Sequence, residues 1–410
     1  NGVHNVYQEK MNQLNNNHSD IIIVGNGITS QFLALKLSKM LGNRIRLTII
    51  DKQKEDNPSS EYVRALSISL STVNLCKSLG IWELVKSKAH PINKIVISHS
   101  ISDEKKTSFL NLDNRVNEEV ASYVINETAL REIIFQETSK LSNINLMHNN
   151  ISEVKLGSDQ ISVKVNDQIL TSKLLVAGDG RKSIIKKLLN IKSVSWDYNQ
   201  MALSCLIKHT KNNENIAVEN FLPTGPIALL PIGDYHSSVI WSVNKNKIDE
   251  VKNISIGDLK LTIEEQFKNY IGEVIAVDNS SFFELNFSIV RKLYSERLVL
   301  IGDAAHSIHP LAGQGTNLGL RDIICLSEGV IEAIKYGLDI GTTSYLQDYQ
   351  KKRMPDILTS ALTYDGINRL YSNNIGGLNP LKDFAINLAE SIPFLKKSLV
   401  KGGSGVNIRY

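Results

Sequence analysis

The stretch from Ile21 to Asp51 constrains this chain more than any other. Ile21-Ile22-Ile23-Val24 is an unbroken apolar, β-branched run, the pattern of a parallel strand buried on both faces. The turn Gly25-Asn26-Gly27-Ile28-Thr29-Ser30 follows, then a helix in which Leu33, Leu37 and Leu41 recur four apart beside Ile28, Phe32 and Leu35. Gly42-Asn43 stops that helix, and Leu47-Thr48-Ile49-Ile50 forms a second strand closing on Asp51. Strand, helix and strand in about 30 residues is the size of one βαβ crossover. Gly25 permits the tight turn. Gly27 lets a pyrophosphate approach the helix N-terminus, where free N–H groups and the helix dipole favour anions. Asp51 can accept hydrogen bonds from ribose hydroxyls. The unit predicts nucleotide binding and leaves NAD and FAD both open.

The remaining pattern extends this to an α/β fold with a sheet-rich part set into it. A helix is expected over residues 67–90, with Leu70, Val73, Leu79, Trp82 and Leu84 as its apolar positions. Short strands are expected at Ile95–Ile97 and Tyr123–Ile125, a helix from Thr128 to Leu141, and a hairpin of Glu153–Leu156 with Ile161–Val165. Leu174–Ala177 reads as a further buried strand, ending in the turn Gly178-Asp179-Gly180. Between 200 and 290 the strand candidates alternate (Leu203–Ile207, Ile227–Leu230, Ser238–Val243, Phe282–Phe287), with one helix near 258–270. Leu298-Val299-Leu300-Ile301 returns to the buried-strand pattern before Gly302-Asp303 and a long helix from Thr316. The domain reading is a leader over 1–19, expected to be disordered, and a discontinuous nucleotide domain over 20–90, 120–195 and 291–345. A substrate domain covers 91–119 and 196–290, and a helical segment covers 346–410.

Composition narrows the function. Lys and Arg number 46 against 42 Asp and Glu, a net charge of +4 that is mixed along the chain, so a protein built around a nucleic-acid field is excluded. No apolar stretch approaches the roughly 18 residues that span a bilayer. Cys76, Cys205 and Cys325 are far apart and form no CxxC pair, which fits a reducing compartment and no cysteine metal site. His306 and His309, three apart, have no nearby carboxylates or cysteines to complete a metal shell, so no metal is expected and the imidazoles are expected to bond loop backbone. No Gly-x-Ser-x-Gly elbow supports hydrolysis.

The densest passage is Gly302-Asp303-Ala304-Ala305-His306-Ser307-Ile308-His309-Pro310-Leu311-Ala312-Gly313-Gln314-Gly315-Thr316-Asn317. An acid just past a buried strand can accept from a polyol hydroxyl. The N–H groups of Gly313–Asn317, backed by the helix dipole, can stabilise negative charge on a cofactor ring.

With its three glycine turns, the sequence resembles the flavin-dependent aromatic hydroxylases of the p-hydroxybenzoate hydroxylase fold, and among them the ubiquinone-biosynthesis hydroxylases. The closer resemblance is carried by Arg64-Ala65-Leu66-Ser67, Phe221–Pro231, Ser237–Ser242, Ala312–Asp322, Tyr349…Arg353…Asp356 and Thr363–Leu370. It runs from about residue 20 to 405. It implies a Rossmann-like FAD-binding domain interleaved with a sheet-rich substrate domain, followed by a helical C-terminal segment. Position by position, Gly25, Gly27, Ile28 and Asp51 hold the ADP half of FAD, and Arg64 reaches toward its phosphates or flavin side. Asn126 contacts the cofactor, Asp303 binds the ribityl chain, and Gly313, Gln314, Gly315, Thr316 and Asn317 face the flavin pyrimidine edge. Pro310, with His309 beside it, lies near the flavin C4a carbon; these are the candidates at the reacting centre, and no side chain is assigned as nucleophile. Two positions depart from the pattern: Ser30 replaces the usual Gly or Ala, and Lys186 stands where an Arg is common.

The resemblance implies FAD-dependent ring hydroxylation of a polyprenylated phenol through a C4a-hydroperoxide, with O2 as cosubstrate and NAD(P)H or a protein electron donor as reductant. It further implies a cytoplasmic protein associated peripherally with the inner membrane, and contact with a ubiquinone-biosynthesis complex. The basic amphipathic stretch 380–402 reads either as docking to a membrane surface or a partner protein or as a helix packed on the body with its lysines solvated. A small soluble aromatic substrate on the same fold, or a non-catalytic prenyl-binding escort, are the competing readings.

Overall fold

The computed structural model describes residues 17–52, 64–102, 105–222, 224–309, 311–372, 386 and 388–406. The expected leader lies outside them as far as residue 16, and the first strand starts at His18. In chain order the elements used below begin with β1 (His18–Val24), α1 (Ile28–Leu41), β2 (Leu47–Asp51), β3 (Ala65–Ser69) and β4 (Lys94–Ser102). Next come β5 (Ser122–Asn126), α2 (Glu127–Ser139), β6 (Ile144–His148), β7 (Gln168–Ala177) and β8 (Ser193–His209). Then follow β9 (Ile216–Leu222), β10 (Gly225–Gly233), β11 (His236–Asn244), α3 (Ile256–Ile271) and β12 (Val274–Val290). The chain continues through β13 (Leu298–Leu300), α4 (Gln314–Lys335) and α5 (Thr343–Ser372).

Two sheets carry the fold. In the first, the apolar runs pair in parallel in the order β6-β2-β1-β7, with Ile21–Val24 facing Leu47–Ile50 on one side and Leu174–Ala177 on the other. β13 adds in parallel to the end of β7. The hairpin of Ile151–Leu156 and Ile161–Val165 continues the sheet antiparallel. Ile21, Ile22 and Ile23 are wholly buried, as strands covered on both faces require, and α1 packs between α2 and α4. The second sheet has eight strands and runs β12-β8-β11-β10-β9-β4 through its middle. It is antiparallel except where β9 meets β4. α3 closes one of its faces through Leu259, Ile263, Phe267 and Ile271.

The structure departs from the expected helix over 67–90. Ala65–Ser69 is instead a strand, paired antiparallel with Ser122–Asn126, and the helix begins at Leu70. Gly80, at φ +68, breaks that helix before a short turn at Trp82–Lys86. Partners more than fifty residues away make β3 a strand, and a local window carries no trace of them. β8 and β12 also run far beyond the stretches legible in sequence, because register shifts at Asp197/Gln200 and Ser204/Leu206 interrupt their alternation.

α5 is fastened to the loop after β13 by a buried charge network. Asp322 of α4, wholly buried, accepts from Gly302 N–H at 2.9 Å and His306 Nε2–H at 2.6 Å, and from Arg353 Nε–H at 2.7 Å. Burial alone would raise its carboxyl, but His306 and Arg353 hold it below the usual carboxylate range. Arg353, also wholly buried, donates as well to Asp356 at 2.5 Å and the Leu318 carbonyl at 3.2 Å; Arg321 shares Asp356 at 2.9 Å. Tyr349 donates to the Leu300 carbonyl at 3.1 Å. Removing one member of such a set strands the others, which costs about 3–5 kcal/mol. Asp322→Ala is therefore expected to lower the unfolding free energy by about that amount. Chemical denaturation of the variant beside the wild type measures it.

Candidate functional site

Three turns meet at the carboxyl ends of adjacent strands. Gly25 N–H donates to Ile50 O at 2.8 Å, Gly178 N–H to Val24 O at 2.9 Å, and Ile301 N–H to Ala177 O at 3.0 Å. The turns after β1, β7 and β13 are thus laced side by side, in the crevice where open α/β sheets bind ligands. Gly25 has φ +94, and a Cβ there would lie 2.6 Å from the Gly178 carbonyl oxygen, so no other residue fits. Ser30 is wholly buried beneath Gly178, and Thr29 packs on Gly302 and Gly319. A small third residue is what this three-way packing requires.

Gly27 differs from Gly25. A Cβ built on it meets nothing within 4 Å, and the same holds for Gly315. Gly27 is the N-cap of α1 and Gly315 lies in the first turn of α4, so both helix N-termini open onto free space. Gly313, at φ +61, is the left-handed N-cap of α4. A cleft at the start of α4 is lined by Arg64, Arg181, Asp303, Gly313, Gly315 and Thr316, and Phe283 and Leu285 of β12 supply its apolar wall. The Arg64 guanidinium sits 5.7 Å over the Phe283 ring. Asp303 is about half exposed, with Arg181 Nε 3.5 Å away. Asp179 spends one carboxylate oxygen on Ile184 N–H at 2.7 Å and Ile185 N–H at 3.3 Å, while the other is buried without a partner. Burial lowers the Lys186 ammonium, opposed by the charges of Asp179 and Asp303.

The other expected site residues fall as follows. Ile28 opens α1, and Asp51 ends β2 with one oxygen accepting from Lys52 N–H at 3.0 Å. Asn126 caps α2, its side-chain oxygen accepting from Thr128 N–H at 2.8 Å, while Arg131 of that helix reaches Asn26 O at 3.4 Å. Gln314 is buried. Asn317, wholly buried, is fully used inside the protein. It accepts from Ser69 N–H at 2.8 Å and Thr72 Oγ1 at 3.0 Å and donates to Ser67 O at 2.7 Å, tying β3 to α4. Pro310 lies outside the described residues.

The two loop histidines bond side chains rather than the loop backbone expected of them. His306 goes to Asp322, and His309 Nε2 donates to Gln200 Oε1 at 3.1 Å, which also accepts from Asn368 at 3.2 Å. The His309 ring is wholly buried 5.0 Å from Tyr198, and burial pushes it down to about 3, so it is neutral at working pH. Through Gln200, His309 ties the end of the loop to β8 and α5, and it does not line the cleft. Arg181 and Phe283 were missed in sequence. Arg181 follows Gly178-Asp179-Gly180 directly, and a basic residue at that turn was a usable signal; Phe283 is placed only by strand register.

A strand–turn–helix dinucleotide fold with a second helix N-terminus and an acid at the same crevice defines a flavin-type site. The open backbone at Gly27 and Gly315 and the unpartnered Asp179 oxygen fit FAD: Gly25, Gly27 and Asp51 would hold its ADP half, Asp303 its polyol chain, and the start of α4 its ring. Residues 18–357 match the FAD binding domain family, so the chain belongs to it. It is an FAD-dependent monooxygenase. The chain is similar to ubiquinone hydroxylase UbiL of Rhodospirillum rubrum, with 28% identity over 94% of this chain and 90% of that protein. It is 29% identical to ubiquinone hydroxylase UbiM of Neisseria meningitidis, over 95% and 85%. It is 26% identical to 3-demethoxyubiquinol 3-hydroxylase of Escherichia coli, over 96% and 100%. Its fold is that of p-nitrophenol 4-monooxygenase PnpA from Pseudomonas putida (TM-score 0.77, 16% identity, 96% and 99% covered).

Gly27 separates cofactor binding from folding. Gly27→Ala is expected to melt within about 1 °C of the wild type as apoprotein, since its backbone is extended and its surroundings empty. Its FAD affinity is expected to fall at least tenfold, which titration of flavin fluorescence measures.

Proposed function

We propose that this protein inserts one oxygen atom of O2 into the aromatic ring of a polyprenylated phenol in ubiquinone biosynthesis. The observation that carries the reading is the extent of the likeness: proteins named as ubiquinone hydroxylases match over 94–96% of this chain, through the second sheet and α5 as well as the FAD-binding elements. The division into an FAD-binding part and a substrate part follows the two sheets.

Bound FAD, once reduced by NAD(P)H or a protein electron donor, supplies the oxygen-activating chemistry. The protein positions and shields. The free N–H groups and dipole at the start of α4 would stabilise negative charge on the flavin ring, and Asp303 would accept from the polyol hydroxyls. Phe283, Leu285 and Ile308 line the cleft and would help to exclude water from it. The His306–Asp322 and His309–Gln200 bonds hold the intervening loop from both ends. Among the described residues no helix is long and apolar enough to cross a membrane. The stretch 380–402 is proposed to touch the membrane surface that delivers the lipid; its described part includes the helix Pro393–Ser404, where Leu399 is half exposed beside Lys397 and Lys401. Contact with a ubiquinone-biosynthesis complex and a cytoplasmic site belong to the same proposal.

Supplied with FAD, reductant, a prenylated phenol and isotopically heavy O2, the purified protein is expected to yield a product carrying one heavy oxygen on the ring. Disrupting the gene is expected to deplete ubiquinone and accumulate a prenylphenol lacking one oxygen. An unchanged quinone pool, with label entering only small soluble phenols, would transfer the activity to the soluble-aromatic class.

A further inference from the structure

The second sheet has two unlike faces. On β9, Val218 and Leu222 belong to the core under α3, and Asn220 between them donates to the Gln266 carbonyl of that helix at 3.3 Å. Side chains alternate along a strand, so Ala217, Glu219 and Phe221 point the other way. Cross-strand pairing extends that face as one row: Ile97, Glu219, Ala228, Ile240, Ser204 and Ser281. Ser281 lies two residues before Phe283 on β12, and Phe283 lines the FAD cleft. Glu219 therefore stands on the same sheet face as Phe283, four strands along from it, flanked in its row by Ile97 and Ala228.

From the other side α5 covers this face. The Phe221 ring stacks on Tyr371 with centroids 4.4 Å apart, and Tyr371 meets His99 edge-on at 5.4 Å. Tyr364, with the Arg321–Asp356 pair behind it, is the titratable group that feels the Glu219 charge. Among the described residues no hydrogen bond or ion pair reaches the Glu219 carboxyl, which lies deep in the molecule yet keeps part of its surface open. A lone carboxyl on an apolar wall is costly for folding and useful only to something that enters the space.

We propose that Glu219 is the catalytic base that accepts the proton of the substrate's phenolic hydroxyl. This deepens the function proposed above and rests on it. The phenol O–H bond breaks, the proton goes to a Glu219 oxygen, and the electron pair stays on the ring oxygen, enriching the ortho and para carbons. The enriched ring forms the new C–O bond with the oxygen atom that FAD, O2 and the reductant supply, the second oxygen leaving as water. The carbon that gained oxygen then releases its proton to solvent while Glu219 returns its own to the ring carbonyl oxygen, so the base ends as it began. Burial pushes Glu219 up to about 7, where a base is both substantially ionised and able to hold a proton at neutral pH. Burial pushes Tyr364 up to about 12, so it stays protonated throughout.

The test uses the full-length FAD-loaded enzyme with a prenylated phenol. Glu219→Gln is expected to hydroxylate ~10²–10⁴-fold more slowly with unchanged FAD content and flavin reduction, and Glu219→Asp to recover part of the loss. Wild-type kcat/KM is expected to fall about tenfold per pH unit below about pH 7, and Glu219→Gln to lose that limb. Folding has its own control. A carboxyl whose folded pKa lies above its unfolded value loses stability as pH rises from 4.5 through about 7, so Glu219→Gln is expected to melt no lower than the wild type above pH 7. A Glu219→Gln enzyme with the wild-type rate, or a wild-type profile flat between about pH 5 and about pH 8, overturns the role of Glu219 and leaves the hydroxylase standing. A wild-type enzyme that holds reducible FAD but turns over no prenylated phenol overturns the function on which the role rests.

Discussion

The carboxylate of Asp322 is the point on which the cofactor crevice hangs. One oxygen takes the N–H of Gly302 and the imidazole of His306, at the two ends of the turn after β13; the other takes Arg353 from α5. A buried ion pair is a poor source of stability, because desolvation consumes most of its Coulomb gain. It does define geometry. Three elements distant in sequence can satisfy the charges in one arrangement only, and that arrangement fixes where Asp303 and the start of α4 stand relative to β1. Asp356 extends the constraint by holding Arg353 and Arg321 together, so α5 is registered against α4 at both arginines.

This accounts for what could be read in the sequence. The βαβ unit was legible because its determinants are local: unbroken apolar runs, glycines at the turns, a helical repeat of leucines. Tyr349, Arg353 and Asp356 were legible only as a resemblance, and their spacing has a physical meaning that the structure supplies. Arg353 and Asp356 lie three apart on one helix, aimed at a charge on another, with Tyr349 one turn earlier bonded to the strand that precedes the loop. The Gly302–Asn317 passage carried a mixture. Gly315 opens space for a ligand, whereas Gly302 packs on Thr29, Gly313 packs on Ser67, and Asn317 is absorbed in holding Ser67, Ser69 and Thr72.

The illegible parts share one cause, dependence on pairing across long sequence separations. Ala65–Ser69 has helical neighbours and a strand partner at Ser122–Asn126, and the partner decides. His309 reads as a loop residue, yet it bonds Gln200, 109 residues upstream, whose side-chain oxygen also accepts from Asn368 of α5. Glu219 is the extreme instance. A glutamate within Ile216-Ala217-Val218-Glu219-Asn220-Phe221-Leu222 reads as the solvent side of a half-buried strand. In this fold the polar side chain facing the core of its own layer is Asn220, satisfied by α3, and the face that sequence alone would give to water is roofed by α5.

That inversion follows from the architecture. A sheet with one face closed by its own helix must find another cover for the second face or leave it wet. Here the second face is covered by the FAD-binding half and by α5, and the cover is incomplete where the cleft enters beside Phe283. That cleft sets Phe283, Leu285 and Ile308 beside the charged Arg64, Arg181 and Asp303, so it presents one apolar side and one charged side to whatever enters. The Asp322 network sets the charged side, because it fixes the turn that carries Asp303 against α5.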